Sequence, residues 1–322
     1  MSDRDIVAEL MQSIGVDPKH PFGEDVARIE VHENRVVGVQ LVSGLHVDAN
    51  ETDTGIEAEI QVDAGVHIAK PVHICFGVLP EDGLQHIKLN VHIQEEARAS
   101  FLAHCTFPNA KDVQHLMDAQ IEIDPGARYD YFERHVHGKY GGVNVVPRAN
   151  VVVGAGAEFT TEFELIKGRA GRIDFRYDTI CHDQSITEMT ARINGRADDV
   201  ITIYEKATLP GVEAKAALIS HIALRDTARA EIFNEIIASG DRARGHVDCK
   251  EIVVGDAVAK AVPAVEVRNQ TAHVTHEAAI GSVDSKQLQT LLSRGLDEEA
   301  ATELIIEGLL SKKKTREFGG ER

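Results

Sequence analysis

A short motif recurs along this chain at a nearly constant interval, and that interval restricts the fold more than any other feature of the sequence. Each copy has a polar or glycine-containing corner, then an alanine, then alternating apolar residues. Three early copies place their alanines two gaps of 30 residues apart, at Ala97, Ala127 and Ala157. Four later copies have gaps of 15, 14 and 15 residues, at Ala228, Ala243, Ala257 and Ala272. Such a period indicates stacked structural repeats.

The segments between these corners are short runs of alternating Val and Ile without helical spacing, which is typical of β-strands. We therefore predict a mainly β chain whose core, residues 91–283, is a β-helix (β-solenoid) of stacked coils, each about 30 residues long. A β-sandwich is the alternative fold. Residues 1–90 form an N-terminal region with a short helix (residues 3–13) and strands, and residues 284–322 form a C-terminal helical segment.

The C-terminal segment has the start and stop signals of two helices. Asp284 precedes the first, Gly295 ends it, and Asp297 precedes the second. Each helix carries an apolar stripe that must be buried on the preceding domain or on another protein. The stripe residues are Leu288, Leu291 and Leu292 in the first helix and Ala301, Leu304, Ile305, Gly308 and Leu309 in the second.

The overall charge is strongly negative, with 52 acidic and 34 basic residues and a net charge of -18. This balance argues against nucleic acid or an anionic membrane as a main partner. The start of the chain, MSDRDIVAELMQSIGV, lacks an apolar run, so we expect no signal peptide, no transmembrane helix and a cytoplasmic location. A GxxxxGK[ST] phosphate-binding loop is absent, so the chain is not expected to hydrolyse ATP alone.

The four cysteines are far apart and form no CxxC pair, which fits neither a disulfide framework nor a self-contained zinc site.

Cys249 precedes His276 and Glu277 by 27 and 28 residues, nearly one coil, and stacked coils lie about 4.8 Å apart. Strand alternation places Cys249 and His276 on the apolar face and Glu277 on the opposite face. The three residues are candidate iron ligands. In the alternative interpretation, Cys249 is a small core residue and His276 a hydrogen-bonded core histidine.

Two other pairs are weaker ligand candidates. His135 and His137 form an HxH with both rings on one strand face, but a solvated loop is the preferred interpretation. His104 and Cys105 are adjacent in sequence, so they alternate to opposite faces of a strand and are interpreted as structural.

The C-terminal string VTHEAAIGSVDSKQLQTLLSRGLDEEAATELIIEGLL resembles the signature of the SufB/SufD family, the scaffold subunits of the SUF iron-sulfur cluster assembly machinery. The resemblance is clear from about Arg229 to Leu310. It implies a β-helical core. It also implies that Cys249 matches the cysteine that SufB members use for cluster assembly, Glu277 their assembly glutamate, and His276 the histidine that SufD members contribute.

The resemblance further implies how such a protein works. SufD members usually have Gly after the histidine, whereas this chain has Glu277, which suggests a short, SufB-like scaffold that forms a homodimer through the β-helix. A SufC-type ABC ATPase is the expected partner, docked on the leucine and isoleucine stripes of the C-terminal helices. An iron-sulfur cluster would be carried transiently. The alternatives are a structural platform for the ATPase without a cluster, and a carbohydrate-active β-helix enzyme, for which no pair of facing acids is recognisable.

Overall fold

Two β-sheets face each other across a continuous interior, and the chain alternates between them. The computed structural model describes residues 2–16, 23 and 25–311. Numbered along the chain, its strands are β1 (Arg28–His32), β2 (Arg35–Gln40), β3 (Leu45–Glu51), β4 (Gly55–Val62), β5 (Val72–Gly77), β6 (Asp82–Ile93), β7 (Arg98–Phe107), β8 (Asp112–Ile123), β9 (Arg128–His137), β10 (Val143–Val153), β11 (Glu158–Lys167), β12 (Arg172–Cys181), β13 (Ile186–Gly195), β14 (Val200–Leu209), β15 (Lys215–Leu224), β16 (Arg229–Ala238), β17 (Arg244–Val253), β18 (Val258–Val267) and β19 (His273–Gly281).

One sheet contains β1, β2 and the odd-numbered strands from β5 to β19, and the other contains β3 and the even-numbered strands from β4 to β18. From β5 onward each strand pairs in parallel with the strand two positions later, one coil further along. Arg98 pairs with Arg128, and Arg128 with Glu158, which reproduces the 30-residue interval. The predicted β-solenoid, of about eight turns, is thus confirmed, and the β-sandwich is not the fold.

The repeated alanines lie at the corners where the chain enters a strand. Ala97, Ala127 and Ala157 are almost completely buried. The residue before two of them is a glycine with positive φ, Gly126 (70°) and Gly156 (66°), a conformation that glycine adopts without steric cost. The corners also stack: the Gly126 amide donates to the carbonyl of the residue at the next corner, Ala155, at 2.9 Å. A buried side chain at the tight corner must be small, which explains the motif.

The interior between the sheets is filled by the inward-facing residue of every second position. Aromatic rings of successive coils contact one another, edge to face between Phe101 and Tyr129 (centroids 5.3 Å apart) and stacked between Tyr129 and Phe159 (5.9 Å). Both arrangements are favourable for aromatic pairs, and they stabilise the interior beyond simple burial.

Three helices flank the solenoid: α1 (Asp3–Ser13), α2 (Ser285–Leu292) and α3 (Glu298–Leu310). Asp284 and Asp297 accept hydrogen bonds from the backbone of Gln287 and Ala300, as N-caps do. The short N-terminal helix and the helical pair were both predicted. The final residues of the predicted C-terminal segment, 312–322, lie outside the described residues. No helix in the described ranges is both long and apolar enough to cross a membrane.

The face that α3 buries differs from the stripe read from the sequence. Ile306 and Leu310 pack on Ala223 on the outside of β15. Glu303 is paired with both Arg196 and Arg225, which holds the helix against the sheet. The predicted stripe is buried only in part: Ala301 is buried and Leu309 packs against the same cluster, whereas Leu304 and Gly308 are exposed and Ile305 is half-buried.

The corner alanines provide a test of the packing. Ala157→Leu should lower the free energy of unfolding by about 1–3 kcal/mol, because the larger side chain overpacks the closed corner. Urea denaturation followed by circular dichroism measures the change. Ala155→Leu is the matched control, since Ala155 belongs to the same corner but is exposed. Equal effects of the two substitutions would show that the corner does not require a small residue.

Candidate functional site

Cys249 and the pair His276–Glu277 lie on neighbouring strands at the C-terminal end of the solenoid. Strand β17 carries Cys249, and β19 pairs with it in parallel. In the register, His276 is opposite Val247 and Glu277 is opposite Asp248, while Cys249 is opposite Ala278. The coil length of the fold therefore places the three predicted residues in one neighbourhood.

Strand alternation sends these three side chains in different directions. Cys249 faces the interior and is fully buried, whereas Glu277 is exposed on the outer face, 4.0 Å from the Lys250 ammonium. His276 is on the inward face of β19 and is nevertheless exposed. The ligand atoms of the three residues do not come within 4.8 Å of one another in a single chain. One copy of the chain in this conformation therefore does not supply a closed three-ligand metal site here.

His276 is exposed because the solenoid ends at its coil. Strands β18 and β19 are the last members of their sheets, so their inward faces have no following coil to cover them. Val267 and Ile280 are each 48% exposed although they lie in register with buried inward residues of the preceding coil. The described structure thus has an open, largely apolar end, defined by the inward faces of β18 and β19.

A group of polar side chains surrounds Cys249 inside the solenoid. Ser220 occupies the same column one coil earlier, and Asn234 reaches across from the other sheet. The Asn234 amide nitrogen is oriented toward Glu205 Oε2 at 3.3 Å, and its oxygen accepts from the Ser220 hydroxyl at 2.9 Å. In this orientation the Asn234 oxygen is the amide atom that lies 3.7 Å from Cys249 Sγ, where it can accept from the thiol. This arrangement gives the thiol a polar side although it is fully enclosed.

Burial determines the charge state of this group. It raises the pKa of Cys249 to about 12, and the negative charges of Glu251, Glu205 and Asp248 act in the same direction. Burial also raises the pKa of Glu205 to about 8 and that of Glu251 to about 7. Neither carboxylate oxygen of Glu251 has a hydrogen-bond partner among the described residues. At neutral pH the thiol is therefore protonated, since the interior disfavours a thiolate.

The polar neighbours of Cys249 were not found from the sequence. Glu251 follows Cys249 at a spacing of two, so alternation alone was enough to place it on the inward face. Asn234 and Glu205 come from the facing sheet, and no local pattern indicates which residues meet across the interior.

A second polar cluster is buried near the other end of the interior. Cys105, His115, Glu133 and His135 offer ligand atoms that all lie within 4.8 Å of one another. The expectation that His135 and His137 belong to a solvated loop is wrong: both are on strand β9, and both are buried. Cys105 and His135 are 30 residues apart and adjacent in register, a coil-length signal that the sequence carried.

Comparisons with known proteins extend the C-terminal resemblance to nearly the whole chain. A family model described as "SUF system FeS cluster assembly, SufBD core domain" matches residues 78–309. An iron-sulfur cluster assembly SufBD family protein of Methanocaldococcus jannaschii is 35% identical over 315 residues, which are 96% of this chain and 99% of that protein. A protein of the same description from Pyrococcus horikoshii is 33% identical over 312 residues, 97% of this chain and 95% of that protein. The iron-sulfur cluster assembly protein SufB of Bacillus subtilis is 24% identical over 264 residues, 78% of this chain and 54% of that protein.

The buried carboxyl beside Cys249 predicts a dependence of stability on pH. Burial raises the pKa of Glu251 from its ordinary value of 4.5 to about 7, so the folded state binds the proton more tightly than the unfolded state. Stability should therefore fall as the pH rises through this window, by at most about 3 kcal/mol from this residue. Glu251→Gln should reduce the fall, measured by urea unfolding at about pH 5 and about pH 8.

Glu266→Gln is the control, because Glu266 is an exposed carboxyl whose pKa is lowered by its hydrogen bond with Arg268. It should not reduce the loss of stability at high pH. A Glu251→Gln protein that loses as much stability as the wild type would show that Glu251 is ionised in the folded state.

Proposed function

The chain belongs to the SufBD family of iron-sulfur cluster assembly proteins, and we propose that it is a scaffold on which a nascent cluster is built near Cys249, His276 and Glu277. The observation that carries this proposal is the position of Cys249, one coil from the His276–Glu277 pair and next to the open end of the solenoid. Thiolate, imidazole and carboxylate are all known ligands of iron. Iron and sulfide are the cargo of such a site.

A second copy of the chain would complete the site. Edge strands with unpaired backbone groups and an exposed apolar end are typical of surfaces that bind another β-structure. Strands β18 and β19 are such edges, and Val265 and Val267 are exposed inward-facing residues at this end. A homodimer joined end to end would cover these residues. It would also bring the exposed His276 side chains of both copies into the joint.

Cluster assembly requires that the Cys249 thiol lose its proton. Its pKa of about 12 means that the closed interior holds the thiol neutral and unreactive. Glu251 lies on the same face of β17 and has a pKa of about 7, so it is the residue that we assign as proton acceptor. Iron can then bind the thiolate only when the end of the solenoid opens to admit it. We propose that this opening is the step that needs energy.

The energy would come from a SufC-type ABC ATPase in the cytoplasm, since the chain has no phosphate-binding loop of its own. A groove between the helical pair and the last coil is the docking surface that we propose. It is lined by apolar residues of α2 and α3 together with residues of β17 and β19, among them Leu291, Leu304, Ile305, Leu309, Ile252 and Ile280. Leu292 and Leu304 are 38% and 46% exposed, while Leu288 is half-buried. Because the groove lies between the helical pair and the last coil, a movement of the helices would displace the strands at the open end.

The second candidate function is a platform that presents the ATPase without assembling a cluster. The complete burial of Cys249 favours it, because iron supplied to the folded chain does not reach an enclosed thiol. A test of cluster formation separates the two candidates.

Anaerobic reconstitution with iron and sulfide is expected to give cluster absorbance with the wild type and to lose most of it with Cys249→Ser. Serine keeps the size of the side chain but is a harder ligand than thiolate. Cys181→Ser is the matched control, since Cys181 is also fully buried in the solenoid core. Full absorbance with Cys249→Ser would favour the platform.

A further arm tests whether two copies share the site. Val267→Glu introduces a charge at the open end, on a strand that carries none of the proposed ligands, and should abolish both the dimer, measured by light scattering, and cluster formation. Ile180→Glu is the control, because Ile180 is 45% exposed on the outer face of β12. A monomeric Val267→Glu protein that still forms the cluster would place the site within one subunit.

Docking of the ATPase can be tested by co-purification with the ATPase of the same organism. Leu304→Glu should weaken binding at least about tenfold, since a charge would be buried in an apolar groove. Ile180→Glu should bind normally, since Ile180 has nearly the same exposed fraction as Leu304 but lies outside the groove. Deletion of residues 284–322 should abolish the complex, and a complex that survives this deletion would contradict the assignment.

A further inference from the structure

We propose that Cys105, His115, Glu133 and His135 bind a divalent transition-metal ion, Zn²⁺ or Fe²⁺, inside the solenoid. This site is separate from the one around Cys249 and does not depend on the proposed scaffold function. It is formed within a single chain, and its ion would be a resident structural ion.

The register brings the four side chains together from both sheets. Cys105 on β7 is opposite His135 on β9, so the two side chains occupy one column. Glu133 is two residues before His135 and shares its inward face, with Oε1 3.6 Å from Cys105 Sγ. His115 reaches in from β8 of the facing sheet. None of the four is more than 2% exposed.

The hydrogen bonds of His137 determine which nitrogen of His135 carries a proton. His137 Nδ1 lies 2.9 Å from the carbonyl oxygen of Arg169, which can only accept, so His137 donates from Nδ1. Its Nε2 then accepts from His135 Nδ1 at 3.1 Å. The remaining nitrogen of His135, Nε2, faces Glu133 Oε1 at 2.6 Å. A single proton therefore lies between His135 Nε2 and Glu133 Oε1. Both atoms are good metal ligands.

The orientation of His115 follows from a similar argument. The Gln85 amide nitrogen donates to the carbonyl oxygen of Glu33 at 2.9 Å, so its oxygen is the acceptor that faces His115. His115 Nδ1 donates to that oxygen at 3.0 Å. The proton of the neutral ring is thus on Nδ1, and Nε2 keeps its lone pair. Metal-binding histidines usually have such a partner on the second nitrogen, which orients the ring.

The electrostatics of the cluster favour a cation in the place of protons. Cys105 Sγ and Glu133 Oε1 lie 3.6 Å apart in the closed interior, where water does not reach them. A divalent ion would replace the thiol proton and the proton between Glu133 and His135, and its two charges would balance the thiolate and the carboxylate. The interior would then hold a neutral, fully coordinated group.

The donor set indicates the class of ion. One thiolate, two imidazoles and one carboxylate suit Zn²⁺ in tetrahedral geometry, and Fe²⁺ accepts the same ligands. Ca²⁺ and Mg²⁺ prefer oxygen ligands and do not fit.

The metal content of the purified chain tests the proposal. A Cys249→Ser protein without a histidine tag, produced in zinc- and iron-supplemented medium, should contain about one ion per chain by elemental analysis. The same analysis distinguishes zinc from iron. X-ray absorption should show one sulfur at about 2.3 Å and nitrogen or oxygen ligands at about 2.0–2.1 Å for zinc. Protein without an ion, or an ion without a sulfur ligand, would overturn the proposal.

Two pairs of variants locate the ion. Cys105→Ser and His115→Gln should lower the bound metal at least about tenfold, as expected when a structural ligand is lost. Cys181→Ser and His104→Gln are the matched controls and should keep the ion, because Cys181 is buried inside the solenoid and His104 on the outer face of β7, both outside the cluster. Metal retained in Cys105→Ser at the wild-type level would refute the site. Where circular dichroism shows that a cluster variant is unfolded, the sulfur distance in the parent protein decides the question.

Discussion

In-register hydrogen bonding between successive coils is the interaction on which the rest of this structure depends. Parallel pairing places each residue beside the residue about 30 positions later, so a side chain is always in contact with its counterparts one coil before and after. Apolar residues repeated at this interval form a continuous core. The same rule brings together Cys105 with His135, and Cys249 with the strand of His276 and Glu277, although these residues are far apart in sequence. Both candidate sites are therefore consequences of the coil length.

The enclosed interior gives the polar residues in it unusual properties. Water is excluded between the sheets, so each buried ionisable group must be neutral, paired or coordinated. In Glu205, Glu251 and Cys249, burial shifts the pKa in the direction that favours the neutral form. Glu133 and His135 are instead paired with each other through a hydrogen bond. Buried ionisable groups lower the free energy of unfolding. The proposed cation at the Cys105 cluster, or the proposed nascent cluster at Cys249, would offset part of that loss.

The two ends of the solenoid differ, and the difference is relevant to function. At the N-terminal end, antiparallel strands complete both sheets. At the C-terminal end, the described helices α2 and α3 pack beside the last coils, with α3 on the outer face of β15. These helices leave the inward faces of β18 and β19 exposed. A site next to an uncovered coil can be completed by a second copy, and helices anchored beside it can transmit movement from a partner. The proposed dimer and the proposed ATPase surface are therefore adjacent.

The sequence by itself determined the coil length and the parity of Cys249 and Glu277, because both depend on a period along the chain. It also determined the small corner residues and the caps at Asp284 and Asp297, because these depend on the residue type at one position. Only the tertiary structure decided that His135 and His137 are buried and that α3 packs through Ile306 and Leu310. It also decided that Asn234 and Glu205 lie beside Cys249, and that His115 meets Cys105. The packing of α3 depends on the outer face of β15, and the other outcomes depend on which residues of the two sheets face each other across the interior. A periodic pattern gives the direction of a side chain but does not identify the residue that it meets.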